Sequence, residues 1–90
     1  MALIDTIRRK IRDQEFAFPH FFEEMGNDDL MFADIESAVF KGRIRRRFTS
    51  DLRGVRYEIV GPAMDGRHVA VVCRIKATGK LLLITTYLVE

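Results

Sequence analysis

The chain has 90 residues, 48% of them hydrophobic, and a formal net charge of +2; this length supports one small domain with a modest core, and the apolar share argues against disorder. A single cysteine, Cys73, excludes an intramolecular disulfide, and the longest apolar stretch, Leu81 to Val89, is too short to span a bilayer as a helix. Charge at Asp5 comes too early for a signal peptide, so we expect a soluble cytoplasmic protein.

The first quarter of the chain predicts two short helices. Four aliphatic side chains fall on one helical stripe, which is typical of an amphipathic helix packed on a core: Leu3, Ile4, Ile7 and Ile11. Proline suits the first turn of a helix and glycine suits the position after its end. A second helix is therefore expected from Pro19 to Met25, before Gly26.

A third helix is expected after a run of capping residues at 27–29. The side chains of this Asn-Asp-Asp run can accept hydrogen bonds from the free amide groups that begin a helix. Phe32, Ile35 and Val39 recur at helical spacing and form its buried side. Gly42 is expected to end it.

The second half of the chain reads as four short strands with short connections. Their expected bounds are Arg43–Thr49, Val55–Gly61, Arg67–Ala77 and Leu81–Val89. Short connections favour an antiparallel meander. We therefore predict one α+β domain over residues 1–90, in which two or three helices from about 2–42 pack on one face of a four-stranded antiparallel sheet from about 43–89.

The turn at Thr78-Gly79 predicts which residues of the last two strands face each other. A two-residue turn pairs Ile75 with Leu82, Cys73 with Ile84, Val71 with Thr86 and Val69 with Leu88. That face is almost wholly apolar and should meet the helices. Because side chains alternate, the opposite face gathers the polar side chains of both strands, which are His68, Arg74, Lys76, Thr85 and Tyr87. A turn one residue longer would reverse the faces of the last strand.

The basic run at the start of the sheet is a candidate phosphate-binding site. Arg43, Arg45 and Arg47 alternate along the first strand, with Arg46 between them, and guanidinium groups bind phosphates bidentately. Arg56 should point to the same side as His68. The alternative is a solvated edge strand whose charges discourage aggregation.

Two histidines and a carboxyl-terminal tyrosine are candidates for proton transfer. Histidine titrates near neutral pH, so His20 and His68 suit acid–base work. Tyr87 can donate a proton, hold a phosphate oxygen or stack on a base, and Thr85 lies two residues away. The alternatives are histidines without a role, and strand residues chosen for β-propensity. Two histidines and one cysteine argue against a zinc site, and no cofactor-binding motif is present.

Several short motifs, in this order, resemble the bacterial domain of unknown function 4258. The motifs are His20 before an acidic helix, Ala33-Asp34-Ile35-Glu36 leading to Lys41-Gly42, Arg53-Gly54-Val55-Arg56-Tyr57-Glu58, Asp65-Gly66-Arg67 and Ile84-Thr85-Thr86-Tyr87. That family is placed among small ribonuclease-like toxins of the RelE and barnase-type fold, often encoded beside an antitoxin. The resemblance implies a metal-independent endoribonuclease in which the RNA 2′-hydroxyl attacks the adjacent phosphate. The family pattern carries over to five residues, His20, Arg56, Tyr57, Thr85 and Tyr87.

The chain departs from the family pattern at two positions. The family usually has an arginine four residues after the helix histidine and another four residues later, where this chain has Glu24 and Asp28. A carboxylate repels a phosphate that a guanidinium would attract. Either Arg43 to Arg47 supply the missing cations, or catalysis has been lost.

These observations leave two functional hypotheses. The first is a toxin-like endoribonuclease with His20, His68, Arg56, Thr85 and Tyr87 in catalysis. Its RNA would be held by the remaining basic and aromatic candidates, which are Arg43, Arg45, Arg46, Arg47, Tyr57 and Arg74. The second is an inactive module of the same fold that binds a protein partner, such as an antitoxin, or forms a homodimer by edge pairing.

Overall fold

Two amphipathic helices cover one face of a five-stranded sheet in the computed structural model, which describes residues 2–18, 26, 29–50, 52 and 54–89. The first helix, α1, spans Leu3–Arg12 and buries Ile7 and Ile11. Its apolar stripe is the predicted one. Asp5 lies in its first turn, where a negative charge interacts favourably with the helix dipole. The predicted helix from Pro19 to Met25 lies outside the described residues.

The second helix, α2, spans Phe32–Lys41 and begins later than the capping residues at 27–29 predict. Its N-cap is Met31, whose backbone amide donates a 2.9 Å hydrogen bond to a carboxylate oxygen of Asp34. The expectation that Asp29 caps this helix is wrong, because Asp29 lies two residues before the N-cap with a φ of 55°. The cap is supplied from inside the helix by the aspartate of its first turn.

The sheet has one strand more than predicted, and it is mixed. Its order is β1-β5-β4-β3-β2. The bounds are Phe16–Ala17 for β1, Arg43–Phe48 for β2, Arg56–Pro62 for β3, His68–Ile75 for β4 and Leu81–Leu88 for β5. Strands β2 to β5 form the predicted antiparallel meander, and β1 adds to β5 in parallel. A two-residue strand lacks a readable alternation, so the sequence pattern did not reveal it.

The β4–β5 hairpin differs from prediction at its turn and agrees with it at its far end. The loop is one residue longer, because Lys76 pairs with Lys80 and Gly79 takes a φ of 89°. Ile75 therefore lies opposite Leu81, and Cys73 lies opposite Leu83. A bulge at Ile84 then restores the predicted pairs. These pairs are Val71 with Thr86 and Val69 with Leu88.

The main core lies between the helices and the sheet. Ile35, Val39, Ile59, Val71 and Leu83 are each no more than 1% exposed and belong to one apolar cluster. Helix α2 packs on β3 and β4, and α1 packs on α2 and β5. No helix within the described ranges is long and apolar enough to cross a bilayer.

The carboxyl end of α2 is fixed against both α1 and the sheet. The guanidinium of Arg8, on α1, donates 2.9 Å hydrogen bonds to the backbone carbonyls of Val39 and Gly42. These contacts satisfy carbonyls that the helix end leaves free. Gly42 and Gly61 both lie so close to the backbone of α2 that a Cβ at either position would clash with the carbonyl oxygen of Ala38. The helix therefore leads directly into β2 while touching β3.

The β3–β4 loop is fixed to the start of α2 by two charged side chains. Asp34, only 8% exposed, accepts a 2.9 Å hydrogen bond from the backbone amide of Met64. Arg67 pairs with Asp65 at 2.7 Å and donates to the backbone carbonyl of Asp29. Both contacts set the position of the loop that precedes β4.

Candidate functional site

The sheet face turned away from the helices has a small buried floor beneath polar side chains. We call this surface the open face. Its floor contains Glu58 at 1%, Ala70 at 0% and Val72 at 6% exposure, none of which belongs to the main core cluster. Cross-strand pairing places Glu58 beside Val72 and Ala70 beside Val60. A carboxylate so deeply buried needs compensating charges and donors.

Those compensating groups come from the two strands at either side of the floor. The carboxylate of Glu58 is ion-paired with the guanidinium of Arg45 and lies 3.9 Å from that of Arg46. The hydroxyl of Tyr87 donates a 2.8 Å hydrogen bond to Glu58 Oε1. We call these four residues the Glu58 cluster. It joins β2, β3 and β5 across the open face.

A bulge in β2 explains why two consecutive arginines reach the same carboxylate. The β2–β3 register shifts between Ile44 and Arg46, which leaves Arg45 as the extra residue. The alternation predicted for Arg43, Arg45 and Arg47 is therefore wrong. Arg47 lies opposite Tyr57, and its guanidinium lies 5.7 Å from that ring, on the helix-bearing face.

The two oxygens of Glu58 differ in their contacts. Oε1 accepts from Arg45 and Tyr87, whereas Oε2 is buried and accepts no hydrogen bond from any described residue. The pKa of Tyr87 is raised by burial first, and then by its hydrogen bond to Glu58 and by the negative charge of that carboxylate. Arg45 and Arg46 oppose this increase in the pKa. The phenol therefore stays protonated and donates to Glu58 at neutral pH.

Thr85 and His68 lie near the cluster on the open face. Thr85 is opposite Val72, in the same cross-strand row as Glu58 and Arg46. His68 is exposed and precedes Ala70, the partner of Tyr87, by two residues. Strand geometry puts the Cα atoms of His68 and Tyr87 about 8 Å apart. Both predicted residues therefore share the surface of the Glu58 cluster.

Arg56 and Arg74 lie at the far end of the open face. The guanidinium of Arg56 lies 5.2 Å from the ring centre of Phe48. Arg56 precedes Tyr57, and Arg74 follows Cys73, which is the partner of Tyr57. Strand spacing separates the Cα atoms of Arg56 and Tyr87 by about 16 Å. Arg56 is therefore not part of the Glu58 cluster.

Two predicted site residues, Arg47 and Tyr57, lie on the opposite, helix-bearing face. Tyr57 packs against the main core on the helix-bearing face. Its position therefore does not support its predicted role in RNA binding. Side chains alternate along β3, so Tyr57 points to the same face as the buried Ile59. His20, together with Glu24 and Asp28, lies outside the described residues.

A cavity of about 420 Å³ opens beside the cluster at the end of the open face. It lies where β2 begins and β3 ends. Arg45 lines it and also forms the ion pair with Glu58. Its other walls come from four further segments, at Lys41 to Arg43, Val60 to Pro62, His68 and Val89. Within the described part of the chain, no group of three or more His, Cys, Asp and Glu side chains is arranged to hold a metal ion.

Sequence reasoning missed the central residue, Glu58. Glu58 belongs to one of the family motifs, but the sequence pattern predicted no role for it. The available signal was a carboxylate in the middle of an otherwise buried strand, two residues from Arg56 and opposite a basic strand. An acidic residue at such a position requires partners, and the basic run supplies them.

The comparisons with known proteins identify the family and nothing more specific. The model of a domain of unknown function, DUF4258, matches residues 19–88. The chain belongs to the DUF4258 family. No curated protein and no solved structure matches it.

The structure assigns packing roles to several motif residues of this DUF4258 protein. Asp34 caps α2 and holds the β3–β4 loop, and Arg67 binds the backbone beside that helix. Gly42 permits the close approach of α2 and β3. Glu58 and Tyr87, from two further motifs, meet in the Glu58 cluster. The family motifs therefore include residues that stabilise the fold and residues that form the open face.

Proposed function

We propose that this DUF4258 protein is an endoribonuclease that binds RNA on the open face and cleaves it without a metal ion. The observation that supports this function is the Glu58 cluster, which combines a carboxylate, two guanidinium groups and a phenol. Transfer of a phosphoryl group from one ribose oxygen to another needs a base, an acid and cationic groups around the phosphate. Helices followed by an antiparallel meander also suit the RelE and barnase-type fold.

Glu58 is the proposed base. Its Oε2 takes the proton of the RNA 2′-hydroxyl while the 2′-oxygen forms a bond to the adjacent phosphorus. Arg45 and Arg46 hold the non-bridging oxygens, on which negative charge develops. The bond from phosphorus to the 5′-oxygen then breaks, and a histidine protonates the leaving oxygen. The products are a 2′,3′-cyclic phosphate and a 5′-hydroxyl.

The proposed base is more deeply buried than the two arginines that lie beside it. Glu58 is 1% exposed, whereas the side chains of Arg45 and Arg46 are 36% and 65% exposed. A phosphate group competes with Glu58 for both guanidinium groups, and their movement toward it uncovers Oε2. His68 is the proposed acid, since it is exposed on the same face. His20 remains a second candidate, and Arg56, Arg74 and Thr85 would extend the RNA contact along the face.

The test is cleavage of a defined RNA in the presence of EDTA. Glu58→Gln keeps a hydrogen-bond acceptor for Tyr87 but removes the base, so the rate should fall by about 10²- to 10⁴-fold. Glu15→Gln is the matched control, because Glu15 is an exposed carboxylate next to β1 and not on the open face. Circular dichroism checks that both variants fold. Equal cleavage by Glu58→Gln and the unchanged protein would contradict the proposal.

A second candidate function is a binding module without catalysis. The supporting observation is that β2 lies at an edge of the described sheet, where its backbone groups can pair with another strand. The partner would be an antitoxin protein or a second copy of the chain. Salt-sensitive binding of RNA would favour the nuclease, and self-association at high salt would favour the module.

A further inference from the structure

The cavity beside the Glu58 cluster has the charge of an anion-binding site. Lys41, Arg43, Arg45 and His68 line it, and none of the described residues that line it is a carboxylate. Neither Lys41 nor Arg43 forms an ion pair with a carboxylate among the described residues, although Arg45 does. Both side chains are exposed. Two cations at the rim of a concave surface raise the local concentration of phosphorylated ligands.

The cavity also has an apolar part. Val60, Pro62 and Val89 contribute to its walls, beside the backbone of Gly42 and Gly61. Its volume of about 420 Å³ falls within the range of roughly 300–1,000 Å³ that small-molecule sites occupy. An apolar wall with cations at one side suits a ligand with a flat organic part and a phosphate.

We propose that this cavity binds one nucleotide of the RNA chain, next to the phosphodiester that is cleaved. Lys41 and Arg43 hold the phosphate of this nucleotide, and its base or sugar lies against Val60 and Pro62. Arg45 connects the two sites, since it lines the cavity and bonds Glu58. The inference rests on the proposed function for the identity of the ligand as RNA.

The position of the cavity implies a contribution to substrate choice. A nucleotide held there places the neighbouring phosphodiester over Glu58, so RNA that extends into the cavity should be cleaved faster than a fragment that ends before it. Lys41 and Arg43 would act on binding without taking part in proton transfer. Their role can therefore be separated from that of Glu58.

The experiment measures binding by titration calorimetry with adenosine 5′-monophosphate, adenosine and inorganic phosphate. The monophosphate should bind at least tenfold more tightly than either of the other probes, because it fills both parts of the cavity. A Lys41→Gln, Arg43→Gln double variant should lose at least tenfold in affinity for it. The matched control is Arg9→Gln, Arg12→Gln, which removes two exposed charges from α1, on the helix-bearing side. Circular dichroism checks both double variants for folding.

Two outcomes would overturn the inference. One is equal affinity for the monophosphate in the two double variants. The other is a failure of short RNA to compete with the monophosphate, which would identify a site for free nucleotides instead. A protein that binds it through Lys41 and Arg43 but cleaves no RNA would refute the proposed reaction and support the cavity as a nucleotide site.

Discussion

Glu58 shows how a buried charge can be retained in a small domain. Its carboxylate lies on the central part of the sheet, where an isolated charge would be costly, and three side chains from two other strands compensate it. Removing one of those partners leaves the charge less well satisfied. The contacts of Glu58 are therefore expected to matter for stability as well as for the proposed chemistry.

Tyr87→Phe tests that dependence. The change removes the 2.8 Å hydrogen bond to Glu58 and keeps the ring, so the free energy of unfolding should fall by about 1–2 kcal/mol. Tyr57→Phe is the matched control and should change stability little, because the hydroxyl of Tyr57 makes no hydrogen bond with a described residue. Urea denaturation measures both variants. An equal loss in both would show that the Glu58 contact is not responsible.

The raised pKa of Tyr87 also predicts a pH dependence. The folded state holds the phenol proton more tightly than the unfolded state, so this contribution is complete below the ordinary tyrosine pKa of about 10. It is lost as the pH rises through the higher folded pKa. The unchanged protein should therefore lose more stability between neutral and strongly alkaline pH than Tyr87→Phe does. Parallel pH profiles of the two proteins would contradict this expectation.

Arg8 is a single residue that joins two helices. It belongs to the polar side of α1 in the sequence pattern, yet its guanidinium reaches two carbonyls at the end of α2. Arg8→Met keeps most of the apolar length and removes both charge-assisted hydrogen bonds, so it should cost about 2–3 kcal/mol. Arg9→Met, at an exposed neighbouring position, should cost much less. The difference in urea midpoint between the two variants measures the contribution of the helix contact.

At the scale of elements, the contact between α2 and β3 depends on glycine. A Cβ at Gly61 would clash with the backbone of Ala38 and come 2.8 Å from the Cα atom of Gly42. Gly61→Ala should therefore force the helix away from the sheet, at a cost of about 3 kcal/mol or more. Gly26→Ala has open space around its Cβ and is the control. A melting temperature unchanged by Gly61→Ala would show that the helix can shift freely.

The elements that the sequence predicted best are those with a long, regular pattern. The stripe of α1, the end of α2 at Gly42 and four of the strands follow from spacing and turn residues. The register of the β4–β5 hairpin could not be predicted from spacing and turn residues. An extra loop residue reverses the faces of β5, and the bulge at Ile84 reverses them a second time. Thr85 and Tyr87 lie on the open face because these two irregularities cancel. Neither irregularity has a clear signal in local composition.

The candidate site was predictable only in part for a related reason. Arg45, Arg46, His68, Thr85 and Tyr87 were chosen for their chemistry, and the strands place them on one face. The residue that joins three of them, Glu58, is defined by three-dimensional contacts rather than by a motif. A bulge also decided which arginines could reach it.

At the scale of the whole molecule, Cys73 reports on complete unfolding. It is buried in β4, between β3 and β5, and burial raises the pKa of its thiol to about 12. A thiol reagent at pH 8 should therefore modify the native protein only through opening of the sheet. The free energy derived from the labelling rate should match the free energy of unfolding in urea. Rapid labelling of the folded protein would show that β4 opens locally.

The parallel pairing of β1 with β5 sets the order in which the chain can complete its structure during synthesis. Phe16 and Ala17 leave the ribosome early. Their sheet neighbours, Leu81 and Leu82, are translated about sixty-five residues later. The meander from β2 to β4 can assemble while translation continues, since its contacts are local. A nascent chain that stops before β5 would lack both Tyr87 and the strand that receives β1. An interrupted product is therefore expected to be incompletely folded and to lack a complete Glu58 cluster.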